Sequence, residues 1–153
     1  MKKLKINERI LMVNLLVISM NLSSYSQSLK TLVTMENQYQ SCLDLGQNMV
    51  GCSEYYYYQI DSFLNVIYKK IMSSIDSSEK VRLRKKQREW LVLRDKQFSQ
   101  IGYRYIKTKS QDAKYIDEDS IMITFDKKAE IVEKRIRELF ITYSIYFCAS
   151  SSP

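Results

Sequence analysis

At 153 residues with a formal charge of +7, no histidine, three glycines and one proline, the chain has room for one domain and few of the turn residues a many-stranded sheet needs. The missing imidazole excludes histidine-based triads and histidine-containing metal sites. Part of the positive charge lies in an N-terminal segment of its own, which limits what bulk charge says about partners.

Met1–Arg9 carries Lys2, Lys3, Lys5 and Arg9 against Glu8, Ile10–Leu22 is almost wholly apolar, and Ser24 and Ser26 supply small residues at −3 and −1. This order predicts a secretory signal peptide over residues 1–26, cleaved before Gln27. The apolar run is too short for a membrane span, so the membrane is met only through this peptide before cleavage. Its removal takes away four Lys/Arg and one Glu and lowers the charge from +7 to +4. An exported, mildly basic chain gives no reason to expect nucleic acid as a partner. Export leads to the periplasm or the medium, where disulfides form.

Residues 27–47 read as a polar approach segment with room for a short helix over Thr31–Tyr39. Cys42 and Cys52 are ten apart across Gly46 and Gly51, a spacing that suits a bridge tying this segment to the next helix, with about 2–3 kcal/mol of stabilisation on the chain-entropy model. Two unpaired thiols are the alternative, and the better reading without export. Cys148, near the C-terminus, has no obvious mate.

Met49, Tyr57, Ile60, Phe63, Leu64, Ile67, Ile71 and Ile75 recur at three- and four-residue spacing and predict a long helix over Met49–Ile75. Four consecutive tyrosines, Tyr55–Tyr58, spread around every side of such a helix. Tyr57 is expected to face the core and the others to supply exposed rings, for a partner or as a shield for the Cys52 bridge.

Asp76 with Glu79 resembles a capping box opening a second helix, which runs to about Tyr105. On it Leu83, Gln87, Trp90, Leu91 and Arg94 share one face, so an amide and a guanidinium lie within the packing stripe and need partners. A short connection makes the two helices antiparallel neighbours, and a turn near Ser77 pairs residues whose numbers sum to about 155. That register sets Asp61 beside Arg94, Asn65 beside Trp90 and Tyr68 beside Gln87. The six are expected to form a buried structural network: an Asp61–Arg94 ion pair, Asn65 accepting from the indole N–H, and Tyr68 meeting the Gln87 amide.

Residues 106–119 are polar and aperiodic, a loop. Ile121, Met122, Phe125, Ala129, Val132, Ile136, Leu139, Phe140 and Tyr143 mark a third helix over Ser120–Tyr146. The expected fold is all-α, a small antiparallel three-helix bundle occupying residues 48–147, with a tail over 148–153. No glycine-rich phosphate loop occurs. The acidic run Asp117–Asp119 is a solvated loop rather than a metal site, and no metal, cofactor or catalytic residue is expected. The basic run Arg82–Arg88, interrupted nearby by Glu79 and Glu89, reads as a solvated outer face.

The ordered set Met49-x-x-Cys52, Asp61-x-x-Leu64-Asn65-x-x-Tyr68, Leu83-Arg84-x-x-Gln87-x-x-Trp90-x-x-x-Arg94-Asp95 and Arg135-x-x-x-Leu139 resembles the LprI-type lysozyme-inhibitor domain family across about Cys42–Tyr143. The resemblance implies a small helical protein of the bacterial envelope that is not an enzyme and whose partner is lysozyme or another envelope protein. Members commonly carry a Cys shortly after the Arg-Asp pair and another before the third-helix Arg. Here Phe98 stands in the first place and Lys127–Ile131 contains no Cys, so the 106–119 loop is expected to be freer. Because the matched polar residues are assigned to the scaffold, the binding surface is expected elsewhere: the rings of Tyr55, Tyr56 and Tyr58, or the loop residues Lys107, Lys109 and Tyr115 entering an enzyme cleft. A cell-envelope protein- or cell-wall-binding module without inhibitory activity is the competing reading.

Overall fold

A computed structural model of the protein describes residues 28–107 and 117–144, the side chains of 106 and 107 excepted. The signal peptide, Lys109, Tyr115, Cys148 and the expected freedom of the 106–119 loop thus fall wholly or largely outside the described residues, as does the side chain of Lys107. Within them the fold is all-α: helix α1 over 28–44, α2 over Met49–Ser74, α3 over Ser77–Gly102 continuing as a π-helical turn over Tyr103–Lys107, and α4 over Glu118–Thr142.

Helices α2, α3 and α4 each start on a side-chain cap that satisfies amides without an intrahelical partner. Asp76 accepts from the amides of Ser78 at 2.8 Å and Glu79 at 3.0 Å. Glu79 turns its carboxylate to Arg82 at 2.6 Å. Asp117 caps α4 through the Ser120 amide at 2.7 Å. The reversal between α1 and α2 uses two left-handed residues, Gly46 at φ 63° and Asn48 at φ 49°, types that tolerate this region. Asn48 then caps α2 on the Gly51 amide. A Cβ on Gly51 would collide with the Asn48 side chain, so glycine makes this cap sterically feasible. Across the same turn Cys42 and Cys52 are joined as a disulfide with Cα atoms 5.9 Å apart.

The core lies between α1, α2 and α4. Ile60, Ile67 and Ile71 from α2 meet Val132, Ile136, Leu139 and Phe140 from α4, all essentially without solvent contact. Leu32 of α1 is equally buried. Residues 27–47, expected as a polar approach segment with a helix over Thr31–Tyr39, therefore contain a longer helix that closes one side of the core. Leu29, Leu32, Met35 and Tyr39 recur at helical spacing and form its inner edge, a stripe too narrow to stand out in a polar run.

Helix α3 stands outboard. Leu83 is its one buried residue, and its backbone lies closer against α4 than against α2. The expected close pairing of α2 with α3 is thus looser than a short connection suggests. Arg82, Arg84, Lys85, Lys86 and Arg88 leave α3 too little apolar surface to pack tightly against two neighbours.

Candidate functional site

Three features follow from this arrangement, beginning with a polar seam joining α1, α2 and α4. Tyr39 and Tyr56 stack with ring centroids 4.5 Å apart and planes 7° from parallel. The Tyr39 hydroxyl donates to Asp126 at 2.7 Å and lies 3.0 Å from the Ser53 hydroxyl. Burial, followed by the bond to Asp126, pushes the Tyr39 phenol up to about 12. The Tyr56 hydroxyl donates to Glu133 at 3.1 Å, and burial with the Glu133 charge raises its pKa still further. Arg137 bonds Glu133 at 2.8 Å and bridges to Glu36.

Tyr56, expected in an exposed patch, is consequently buried, at 6% exposure. The physical cause is α1, which covers the face a three-helix arrangement would leave open. Sequence reasoning missed Tyr39, Ser53, Asp126 and Glu133 for the same reason. The Glu36 carboxyl is held above its ordinary value by burial first and by Glu133 second, with Arg137 opposing. A carboxyl raised in the folded state contributes stability that is present below its unfolded pKa and lost as pH rises through the folded value. Glu36→Gln is therefore expected to remove a decline in stability that begins near pH 4.5, measured as melting temperature against pH; an unchanged profile would contradict this.

The second feature is the set of polar residues around α3. Arg94 lies 3.9 Å from Asp61 and 2.7 Å from Asp95, with its guanidinium 5.5 Å from the ring centroids of Trp90 and Phe98. Asn65, expected to accept from the Trp90 indole, instead donates to the Asp61 carbonyl of its own helix at 3.1 Å. Gln87, expected to meet Tyr68, accepts from Arg135 of α4 at 2.9 and 3.1 Å. Both corrections have one origin, since α3 leans toward α4 and Arg135 outcompetes a neutral phenol as a donor. Arg135 also lies 5.6 Å from the Trp90 centroid.

Phe98, standing where members of the resembling family carry Cys, meets Tyr57 edge-on at 6.0 Å and lies 5.6 Å from the Lys128 ammonium. Phe125 joins this group 5.7 Å from the same ammonium. An aromatic–cation cluster thus ties α3 to α2 and α4. Asp61, Asn65, Tyr68, Gln87 and Arg94 line an open groove between α2 and α3, whereas Trp90 and Arg135 line a wider one between α3 and α4.

The third feature is an exposed apolar ridge on α2. Tyr55 and Tyr58 are 65% and 58% exposed, and Val66 continues the ridge at 55%. Beside them Met35, Gln59 and Ser62 border a shallow hollow of about 360 Å³. Tyr58 packs partly on Tyr57, at 5.2 Å between centroids, so one of the two exposed rings is braced from beneath. Among the described residues no group of three Asp, Glu or Cys could hold a metal ion, and no helix is long and apolar enough to cross a membrane.

Together these features define a small all-α protein with a disulfide-tied N-terminal helix and an outlying, cation-rich third helix. The chain belongs to the Lysozyme inhibitor LprI family, whose model matches residues 42–139. No curated protein and no solved structure matches it. The membership agrees with the resemblance carried by the Leu64–Tyr68 and Leu83–Asp95 motifs, and it places the protein in a family named for lysozyme inhibition.

Proposed function

We propose that the protein is an exported, non-catalytic inhibitor of lysozyme that acts by occluding the enzyme's cleft with the Tyr55–Tyr58 ridge. The observation that carries this reading is the family match over residues 42–139, and the ridge supplies a contact surface that the scaffold does not use. Two aromatic rings on a helix anchored by the core and by the Cys42–Cys52 bond lose little conformational freedom on contact, a property of tyrosine-rich binding surfaces. The disulfide suits an oxidising compartment, as does the N-terminal order of basic, apolar and small residues. The excess of Lys and Arg slows encounter with a cationic enzyme, so the expected inhibition is modest.

In a peptidoglycan-lysis assay the purified protein should slow lysozyme in a dose-dependent manner. Tyr55→Ala/Tyr58→Ala should weaken this at least tenfold, the loss expected for central aromatic contacts, with only a small fall in melting temperature, because both rings are largely exposed and Tyr58 alone of the two leans on Tyr57 and Phe125. No inhibition at high excess rejects the reading. In that case retention on envelope extract that depends on the same two rings would support a cell-envelope binding module.

A further inference from the structure

The groove between α2 and α3, about 320 Å³ in volume, meets the core only at Leu64 and lies apart from the tyrosine ridge. Its size lies at the small end for ligand sites. Leu64 and Leu91 give it an apolar floor, and polar groups converge on it from both helices. Of the arginines on α3, Arg82 is paired with Glu79 and Arg94 with Asp61 and Asp95. Arg84 and Arg88, also on the groove, make no ion pair among the described residues. They stand one helical turn apart, about 6 Å along the axis, where two like charges repel and an anion between them is stabilising.

Opposite them stands Tyr68, whose hydroxyl makes no hydrogen bond among the described residues. Gln87 has its amide oxygen held by Arg135, which leaves its amide nitrogen as a donor. Asp61 sits with Arg94 at the other end of the groove. Its charge disfavours an anion there and orients one toward the Arg84–Arg88 end.

We propose that this groove binds a small acidic ligand, with a carboxylate or phosphate seated between Arg84, Arg88 and the Tyr68 hydroxyl and a body of about one sugar ring resting on Leu64 and Leu91. Guanidinium forks suit the paired oxygens of either anion. The inference is independent of lysozyme inhibition, because the tyrosine ridge contributes nothing to it.

The chain's single tryptophan provides the readout, since Trp90 lies 5.5 Å from the Arg94 guanidinium at the groove's edge. Purified protein at low ionic strength is titrated with N-acetylmuramic acid, inorganic phosphate and the uncharged N-acetylglucosamine, followed by Trp90 fluorescence and calorimetry. The acidic sugar is expected to bind saturably and at least tenfold more tightly than the neutral one. Phosphate binding as tightly as the acidic sugar assigns the site to the oxyanion alone and supports the anion seat; weaker phosphate binding supports the sugar-sized body as well. Arg84→Gln/Arg88→Gln should weaken binding at least tenfold. Lys85→Gln/Lys86→Gln, which removes equal charge from the same helix away from the groove, should leave binding within about twofold. Absence of binding, equal affinity for the neutral sugar, or an equal loss in the lysine variant would overturn the proposal.

Discussion

Leu83→Ala should destabilise the protein by about 2–5 kcal/mol, the range for emptying a fully buried leucine site, whereas Leu93→Ala on the same helix should stay within about 0.5 kcal/mol. Leu83 has no solvent contact and is the sole buried residue of α3, while Leu93 is 60% exposed. Beyond it α3 is held by the partly buried rings of Trp90 and Phe98 and by polar or cation–aromatic contacts: Gln87 with Arg135, Arg94 with Asp61, Phe98 with Lys128. Such contacts contribute less than a buried side chain when partly solvated. Losing the Leu83 anchor should therefore loosen the whole helix and shift Trp90 emission to the red before global unfolding. Urea titrations followed by far-ultraviolet circular dichroism and by fluorescence check both parts, and equal costs for the two variants would contradict the packing described here.

Removing the disulfide is the second large effect. Cys42→Ser/Cys52→Ser opens a covalent loop with a sequence separation of ten and should cost about 3 kcal/mol on the loop-entropy model. The loss should concentrate in α1, which is otherwise held by Leu32, the Tyr39–Tyr56 stack and the Tyr39–Asp126 bond. A reductant should lower the melting temperature of the parent protein to that of the variant and leave the variant itself unchanged. Identical melting of oxidised and reduced protein would show that the bond constrains nothing the fold needs.

Helices α2 and α4 were legible because their apolar residues repeat at three and four over many turns, enough to outweigh the polar residues between them. Helix α1 was legible only as a short helix over Thr31–Tyr39 and not as a wall of the core, since Leu29, Leu32, Met35 and Tyr39 touch the core in a stretch otherwise polar. That omission also misplaced Tyr56, because the burial of a tyrosine depends on which neighbour covers it. The numerical register correctly brought Asp61 toward Arg94, since a tight turn capped by Asp76 fixes which residues face one another. It failed at Asn65 and Gln87 because a two-helix register contains no third helix. Arg135, distant in sequence, takes the Gln87 amide, and the spacing of residues 61–94 carries no trace of it.

The claim on which both the α3 anchor and the proposed anion seat depend is that α3 lies against the core rather than within it, its polar residues lining grooves. Native-state amide hydrogen exchange tests this most directly. Amides of Ile60–Ile71 and Val132–Phe140 should exchange only through global unfolding, while those of Val92–Gln100 should exchange at least tenfold faster through local opening of α3. Equal protection across all three stretches would contradict this picture and place α3 within the cooperative core.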